Sequence, residues 1–548
     1  MDISTTQKEK YKILIILPRD NVTNKKSYLY TFPLGLTYIS SVLKEQGYKV
    51  DCLNLNHKNR TIKEVITRQL DKEEYDFVGT GSNALAYNTA KIIIKTIRNH
   101  PSNPKIILGG PIITAQPNLY YADLKPDFGI IGEGEETIID LLNSIKNKKN
   151  LDNVNGIIYK KGREIKITGA RTPLEDLDSL PYPDFEGFEF EEYLDNLRTN
   201  IFYNYNPFDN PRTYPILGSR SCPYQCTFCY HEGKYRARSI ESIIKELRIM
   251  VKKYKINIIT LYDDCFAITK ERVEEFCRGI KELQKEISWE LKWFPQLTVR
   301  QVTPELLKLM KESGCDTISY GYESYSPTVL KSMKKPITPE QIDYSFKETL
   351  KAGMAIQANF IFGDIAETKE TAKETLDYWK KNAKGQISLI FIQSYPGSEI
   401  YKHCLRKGII KNEINYIQNL TGSTILNMTD KMTNNKFNQL IKEVFEVNSK
   451  YSKFIKPTSL KKTKEKTYSV TIKCPFCNEI ITYNNCFIEN NLSYSFNLVC
   501  RNCHMRFFVA STIRRIAIKH HSKIRKIRGI QIKLRNYFKK LKLKTSNQ

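Results

Sequence analysis

The sequence of 548 residues has no apolar run that approaches the roughly 18 residues a membrane-spanning helix needs. The longest run near the beginning, at 13–17, is too short for an anchor or a signal peptide. We therefore expect a cytoplasmic protein. Because no secretion signal is visible, the 13 cysteines are expected to be metal ligands or free thiols, and not a disulfide framework.

Acidic residues are almost missing from the last fifth of the chain. Residues 451–548 hold 22 Lys and Arg but 3 Asp and Glu, and 511–548 hold 13 Lys and Arg and no acid. Apolar residues recur near helical spacing in 511–548, which predicts a basic amphipathic helix. Such a helix can pack on its own chain, bind nucleic-acid phosphates, or contact a carrier or an anionic membrane surface.

The length suits two or three domains, and the order of segments favours an α/β fold. In the first 150 residues, short apolar runs of strand length alternate with helix-length stretches, as in a doubly wound, Rossmann-like parallel sheet. Ligands bind such sheets beyond the carboxyl ends of the strands. There the sequence has GTGSN (79–83), GGP (109–111) and GEGEE (132–136).

The alternation resumes at residue 214. Six strand candidates separated by helical patterns predict a partial (β/α)6 barrel of the TIM type, with its chemistry at the carboxyl ends of the strands. These candidates are 214–219, 256–264, 290–297, 317–324, 355–363 and 387–396. The expected units are the first sheet (1–150), a hairpin and connector (151–213), the barrel (214–405), a helical extension (406–454), a charged linker (455–469), a Cys-rich unit (470–510) and the basic tail (511–548).

The most specific motif is SCPYQCTFCY, which places Cys222, Cys226 and Cys229 in a C-x3-C-x2-C array. Three thiolates within eight residues can hold one iron–sulfur cluster. A cubane of four irons would keep one iron without a nearby protein ligand, and such an open position is where chemistry can occur. The alternative is a structural zinc site completed by a distant fourth ligand.

Around these cysteines the chain resembles the radical SAM superfamily, specifically its cobalamin-binding branch. The resemblance covers about residues 12–405 and includes Phe228, Tyr230 and the sequence SRSCP, in which Ser221 replaces the usual glycine. Further similar stretches follow predicted barrel strands: LYDDCF (261–266), GYES (321–324), NFIFGDIAET (359–368) and SYPGSEIY (394–401).

This resemblance implies a [4Fe-4S] cluster whose free iron binds S-adenosylmethionine, and reductive cleavage of that molecule to a 5'-deoxyadenosyl radical. It also implies that Asp263 and Asp264 lie near the amino or ribose groups and that Glu323 accepts hydrogen bonds. Arg300 is expected to pair with the carboxylate, since a guanidinium binds a carboxylate bidentately. Tyr230 is placed among the cofactor-binding residues. The alternative for each of these charged residues is a position in a solvated loop without any contact to a ligand, which is about equally common at strand ends.

The first sheet resembles the cobalamin-binding fold, most visibly at PLGLTYISSVLKEQGYKV (33–50). By this resemblance Gly109 and Gly110 admit the nucleotide tail of cobalamin, and the Ser82/Asn83 turn faces the corrin edge. The alternative is a Rossmann-like domain that binds a nucleotide or nothing.

Many cobalamin proteins carry D-x-H-x-x-G after the first strand, and this chain does not, because its loop reads PRDNVTNKK (18–26). No histidine is therefore expected below the cobalt. His57, in NLNHKNR, is predicted to be a surface histidine at a strand end.

Two further C-x2-C pairs, Cys474/Cys477 and Cys500/Cys503, have the spacing of a zinc ribbon. Four thiolates satisfy tetrahedral zinc without an open position, so the site is predicted to be structural. Rubredoxin-like iron is the alternative. Cys486 is expected to be a spare buried thiol.

The sequence thus predicts a cobalamin-dependent radical SAM enzyme that methylates an unactivated carbon and receives electrons from a protein such as a flavodoxin or ferredoxin. A methylthiotransferase is disfavoured, since Cys52 is the single cysteine of the first unit and a second cluster needs three. A non-methylating cyclase or mutase stays open. So does a nucleic-acid-binding protein that uses the ribbon and the tail.

Overall fold

The computed structural model describes residues 10–19, 27–28, 30–81, 83–200, 207–383 and 385–519. The predictions for Ser82 and for the tail beyond residue 519 lie outside these ranges. Within them, no helix combines the length and apolarity needed to span a bilayer.

The first unit is a seven-stranded sheet in the order β2-β1-β3-β4-β5-β6-β7. Strands β1 to β5 are parallel, and the β6–β7 hairpin joins β5 in antiparallel fashion, so the sheet extends past the boundary expected at residue 150. Its elements are β1 (Lys12–Leu17), α1 (Leu34–Glu45), β2 (Lys49–Asn54), α2 (Ile62–Lys72), β3 (Phe77–Gly81), α3 (Tyr87–Arg98), β4 (Lys105–Gly109), α4 (Pro111–Thr114), α5 (Pro117–Leu124), β5 (Phe128–Ile130), α6 (Glu135–Lys146), β6 (Ile157–Lys161) and β7 (Glu164–Ile167).

Strand β1 shows why this sheet is covered on both faces. Ile13 and Ile15 pack into the apolar cluster that includes α1 and α6, whereas Leu14 and Ile16 pack into the cluster that includes α2 and α3. Successive side chains of a strand point to opposite faces, so a continuous apolar run requires helices on each side. The doubly wound fold predicted from the sequence is confirmed.

The second unit is the partial barrel, also as predicted. The parallel sheets β8-β11-β12 and β13-β14-β15-β16 adjoin at Pro295, whose carbonyl accepts a hydrogen bond from the Ser319 amide at 2.9 Å. Its elements are α7 (Phe190–Asp195), β8 (Thr213–Ile216), β9 (Ser219–Arg220), β10 (Arg236–Ala237), α8 (Ile240–Tyr254), β11 (Ile258–Leu261), α9 (Lys270–Lys285), β12 (Lys292–Phe294), β13 (Gln296–Leu297), α10 (Pro304–Glu312), β14 (Thr317–Glu323), α11 (Pro327–Ser332), α12 (Pro339–Lys351), β15 (Ala355–Phe362), α13 (Lys369–Tyr378) and β16 (Ile387–Phe391).

Local signals begin the barrel helices. Each of α8, α9, α10, α12 and α13 follows a Ser or Thr whose hydroxyl accepts a backbone N–H of the first turn. These caps are Ser239, Thr269, Thr303, Thr338 and Thr368.

The chain continues through α14 (Glu399–Arg406), α15 (Glu413–Gln418), α16 (Asn434–Tyr451), β17 (Phe454–Ile455), β18 (Ser459–Lys464), β19 (Thr467–Lys473), β20 (Ile480–Phe487), β21 (Ser495–Val499), β22 (Arg506–Ala510) and α17 (Thr512–Lys519). The segment 455–469 is not the linker expected from its charges, because β18 pairs with β19 and belongs to the Cys-rich unit. Its lysines lie on an exposed edge strand, where charge discourages pairing with other chains.

The Cys-rich unit packs on the amino-terminal end of the barrel. The Arg506 guanidinium donates to the carbonyls of Gly385 (3.0 Å) and Gln386 (2.6 Å), just before β16 begins. His504 lies 4.0 Å from the carboxylate of Asp316, just before β14. Since the barrel strands are parallel, this unit sits at the end opposite to their carboxyl ends.

Candidate active site

The three cysteines of SCPYQCTFCY lie on a loop between β9 and β10, at the carboxyl end of the barrel. Thr227, in the middle of the loop, is held by backbone hydrogen bonds on both sides. Its N–H donates to the carbonyl of Met333 at 3.1 Å, and its own carbonyl accepts from the N–H of Ile400 at 2.9 Å. The loop is therefore positioned by two segments distant in the sequence.

Ser221, which stands where related sequences usually have glycine, has φ of +65°. This left-handed conformation is the one that glycine adopts without strain, so the serine keeps the backbone path that the motif needs. Its hydroxyl donates to the carbonyl of Gly233 at 3.2 Å, which helps to hold the strained residue.

The cysteine side chains differ in environment. Cys226 is buried, Cys229 is exposed and Cys222 is intermediate. A hydrogen bond with the buried thiol of Cys265 lowers the pKa of Cys222 to about 6, which favours the thiolate form that binds metal. Cys265 was not predicted as a site residue from the sequence, although it lies within the LYDDCF stretch.

The sulfur atoms of Cys222, Cys226 and Cys229 do not form a group within 4.8 Å of one another in the described ranges, alone or with a fourth ligand. A tetrahedral zinc with bonds of about 2.3 Å would bring its sulfurs to about 3.8 Å from one another. At least one separation among the three loop sulfurs therefore exceeds the edge of a tetrahedral zinc site.

Asp263 and Asp264 follow β11 but face different surroundings. Asp263 is 2% exposed, and its carboxylate accepts hydrogen bonds from the hydroxyl of Ser219 (2.9 Å) and from the Ser219 N–H. Burial raises the pKa of Asp263 to about 7. Asp264 instead lines the large cavity described below. Asp263 thus anchors the start of the cysteine loop, and Asp264 is the one available to a ligand.

Glu323 is the last residue of β14 and adopts a φ of +60° at a bulge in the pairing with β15. Its carboxylate forms an ion pair with the ammonium group of Lys335 at 3.1 Å, and both side chains are largely buried. A Cβ atom at Gly321 would collide with both charged groups, so a larger residue there would displace the ion pair from its present position. Lys335 was not identified from the sequence.

Arg300 lies in a short helical turn directly after β13. Its side chain is exposed and does not line the cavity. Of the predicted cofactor residues at the barrel, Arg300 is the one that the structure leaves apart from the others.

A cavity of about 890 Å³ lies between the sheet of the first unit and the cysteine loop. One wall is formed by strand ends of the sheet, including Gly109, Gly110 and Asn83. The opposite wall contains Ser221 and Tyr230, at the two ends of the cysteine loop. This volume lies in the range of ligand and cofactor sites, and the described wall residues include three of the four predicted for cobalamin.

Glycine is required at position 81, where the ends of β3 and β4 meet. A Cβ atom at Gly81 would lie 2.8 Å from the carbonyl oxygen of Gly109, so two neighbouring strand ends approach each other through bare backbone. The sheet order 2-1-3-4-5 also puts a topological switch point between β1 and β3, beside this edge. The structure therefore supplies an open, backbone-lined cradle that fits a flat macrocycle.

The GEGEE segment joins the two units. The carboxylate of Glu133 pairs with Arg236 at 2.7 Å and with Arg220 at 3.3 Å, and Glu135 pairs with Arg220. Arg220 precedes the cysteine loop and Arg236 follows it. We call these four residues the interdomain clamp. The sequence showed GEGEE only as a loose ligand-binding signal.

His57 is buried and not the surface histidine predicted from the sequence. Its Nδ1 lies 2.9 Å from the Glu189 carboxylate, and its Nε2 lies 2.9 Å from the hydroxyl of Tyr30, whose side chain lines the cavity. The error has a physical cause. The partner Glu189 is 132 residues away in the sequence, so local polarity gave no sign of it.

The four cysteines of the ribbon form one compact group. The ligand sulfurs of Cys474, Cys477, Cys500 and Cys503 all lie within 4.8 Å of one another. Two of the distances, Cys474–Cys503 and Cys477–Cys500, are 3.7 Å, close to the edge of about 3.8 Å for a tetrahedral zinc site. Cys486 is fully buried outside this group.

A sheet edge facing a three-cysteine loop across one cavity defines a class of enzyme that combines a radical SAM barrel with a cobalamin-binding domain. Residues 216–378 match the family model of the radical SAM superfamily, and residues 21–142 match that of the B12 binding domain. The chain belongs to the cobalamin-binding radical SAM enzymes. Its cofactors are a [4Fe-4S] cluster, S-adenosylmethionine and cobalamin.

Two curated relatives are methyltransferases. An uncharacterized methyltransferase of Pyrococcus horikoshii is 28% identical over 406 residues, which cover 73% of this chain and 84% of that protein. The cytidylyl-2-hydroxyethylphosphonate methyltransferase of Streptomyces wedmorensis is 24% identical over 455 residues, which cover 73% and 83%.

Among solved structures, the radical S-adenosylmethionine methyltransferase TsrM of Kitasatospora setae, with cobalamin and a [4Fe-4S] cluster bound, superposes with a TM-score of 0.59. The two sequences are 16% identical, and the likeness covers 73% of this chain and 76% of that one. At this identity the likeness shows a shared fold.

Proposed function

We propose that the protein transfers a methyl group to an unactivated carbon of its substrate. The observation that carries this proposal is the single cavity shared by the glycine-lined sheet edge and by both ends of the cysteine loop. Methyl transfer of this kind requires the cobalamin and the radical source to meet one substrate with water excluded. The methyltransferase relatives support the same reaction.

We assign the cluster to Cys222, Cys226 and Cys229. When bound, the cluster supplies the electron that cleaves S-adenosylmethionine, and cobalamin supplies the methyl group. The chain itself positions these groups. The backbone hydrogen bonds of Thr227 hold the loop, and Glu323 and Asp264 are the carboxylates that would contact the amino or ribose groups of S-adenosylmethionine. Arg300 stays a prediction for the carboxylate.

We assign cobalamin to the cavity edge formed by Gly109, Gly110 and Asn83, with Tyr230 on the opposite wall. No group of the chain is assigned as a ligand of the cobalt. Structural zinc is assigned to the ribbon cysteines, whose sulfur spacing fits it.

The test is anaerobic reconstitution of the full chain with iron, sulfide and hydroxocobalamin, followed by S-adenosylmethionine with a CD3 methyl group and a strong reductant. The assay does not require the substrate to be known, because two products should form in its absence: 5'-deoxyadenosine, and cobalamin that carries CD3. A triple variant with alanine at the three loop cysteines is the control and should give neither product.

Each outcome decides one part of the proposal. Absence of 5'-deoxyadenosine from a chain that holds its cluster would overturn the radical chemistry. Formation of 5'-deoxyadenosine without any labelled methylcobalamin would favour a non-methylating cyclase or mutase.

A protein reductant such as a flavodoxin or ferredoxin is proposed as the electron donor, and the exposed Cys229 marks where the cluster site comes nearest to solvent. Contact of the basic tail with nucleic acid, a carrier or a membrane surface stays a prediction. Its first turns are described in α17, where Ile513 and Ile516 are 56% and 55% exposed.

A further inference from the structure

Lys335 lies at the cysteine site although the sequence motifs do not include it. It follows α11, only two residues after Met333, whose carbonyl binds the cysteine loop at Thr227. The Lys335 N–H donates to the carbonyl of Leu330 at 2.9 Å, which fixes its backbone at the end of the helix. The residue is thus attached to the same support that positions the loop.

The side chain of Lys335 is held as firmly as its backbone. It is 17% exposed and makes an ion pair with Glu323, which is 11% exposed, at 3.1 Å. Gly321 leaves the space for this pair, since a side chain there would strike both groups. Because this ion pair is largely removed from water, the ammonium and carboxylate groups are held in fixed positions relative to each other.

The Lys335 charge acts on each of the three loop cysteines. Burial raises the pKa of Cys226, and the Lys335 charge opposes that rise. It acts in the same direction on Cys222 and Cys229. The acidic side chains facing the loop, Glu323 and Asp264, act in the opposite direction.

We propose that Lys335 is a positioning residue: its ammonium group holds the Glu323 carboxylate at the cluster site and raises the reduction potential of the cluster. This inference rests on the proposed assignment of the cluster to the three cysteines. A reduced cluster carries one more negative charge than an oxidised one, so a fixed cation beside it stabilises the reduced form. Glu323 has the opposite effect.

The test is a redox titration of the full chain, reconstituted anaerobically without S-adenosylmethionine and followed by the electron paramagnetic resonance of the reduced cluster. Lys335→Met should shift the midpoint potential to more negative values. Lys335→Arg keeps the charge and should stay near the unsubstituted protein. Glu323→Gln removes the negative charge and should shift the potential to more positive values.

Lys334→Met is the matched control. Lys334 is the neighbouring residue and carries the same charge, but it is 53% exposed and pairs with the exposed Glu399 at 2.6 Å. Its removal should not change the potential. An unchanged potential in Lys335→Met, or an equal shift in Lys334→Met, would overturn the inference.

If Lys335→Met fails to hold iron, the opposite shift in Glu323→Gln decides the question, and no shift there overturns the inference. Failure of the proposed function looks different. A chain with no cluster, or with a cluster and no 5'-deoxyadenosine, contradicts the enzyme assignment. Normal 5'-deoxyadenosine formation with an unshifted potential contradicts only the role of Lys335.

Discussion

At the scale of single residues, the site depends on which cysteines hold the cluster. Cys265 is buried and hydrogen-bonded to the side chain of Cys222, so a residue outside the motif lies beside the proposed ligands. The motif alone could not reveal it, because Cys265 lies in the segment that follows β11, more than 30 residues away.

We therefore expect Cys226→Ala to lose the cluster, since two remaining thiolates cannot hold three irons. Cys265→Ala should retain it and cost about 1 kcal/mol of unfolding free energy for the small cavity formed. Iron and sulfide per chain, together with the visible absorbance of the reconstituted protein, measure both. Equal loss of iron in the two variants would make Cys265 a fourth ligand and would contradict the open iron.

Asp263 gives a prediction for pH. Burial raises its pKa to about 7 in the folded chain, against an ordinary value near 3.8, although the nearby Arg272 charge opposes the rise. The folded state then binds the proton more tightly than the unfolded state. The free energy of unfolding should fall as the pH rises from about 4 to about 7, and the effect should level off above that.

Asp263→Asn removes this titration and can still accept the hydrogen bonds from Ser219. We expect the variant to gain stability relative to the unsubstituted protein from pH 5 to 7 and to keep a constant difference at higher pH. Urea unfolding at several pH values measures this. Parallel curves for the two proteins over the whole range would show that Asp263 does not titrate there.

At the scale of elements, the ribbon closes the amino-terminal end of the barrel. Strand β14 connects the two ends: His504 of the ribbon lies beside the residue that precedes the strand, and Glu323 is its last residue. Seven residues of strand span about 23 Å, so the ribbon is remote from the chemistry. This placement favours a role in stability over one in catalysis.

Cys477→Ala is expected to lose one zinc per chain and to lower the melting temperature, because metal binding supplies much of the folding energy of so small a unit. Cys486→Ala is the matched control, a buried cysteine outside the tetrad, and should keep its zinc. Elemental analysis and thermal scans measure these effects. Full zinc content in Cys477→Ala would contradict the site, and iron in place of zinc in the unsubstituted chain would favour the rubredoxin-like alternative.

At the scale of the whole molecule, the interdomain clamp ties the sheet to the cysteine loop. Arg236 and Glu133 are 7% and 18% exposed in their side chains. Burial would raise the pKa of Glu133, but the hydrogen bonds from Arg236 and the charge of Arg220 hold it below the ordinary value. The clamp is therefore intact at neutral pH and weakens as the pH falls through that lowered pKa.

Glu133→Gln should weaken the docking of the two units by about 3 kcal/mol, since it leaves buried guanidinium groups without their full charge partner. Bound cobalamin should be lost on desalting while the iron content is kept. Glu136→Gln is the control within the same motif. Its partner Arg171 keeps a second carboxylate partner, Asp140, and Glu136 is 51% exposed, so about 0.5 kcal/mol or less is expected. Equal cobalamin retention in the two variants would contradict the clamp.

The sequence determined the fold class and the three-cysteine loop, because both are written in local patterns: capped helices, strands of strand length, and ligands within eight residues of one another. Glycine-ended strands likewise marked the cavity edge. These features need no knowledge of what packs against them.

Only the tertiary structure decided which units face each other. The burial of His57, the clamp on Glu133, the charge of Lys335 at the cysteines and the docking of the ribbon all join residues from separate segments, some more than 100 positions apart. The role of each of these side chains depends on the residue that it contacts in the folded chain. A contact of that kind leaves no periodicity or spacing in the chain.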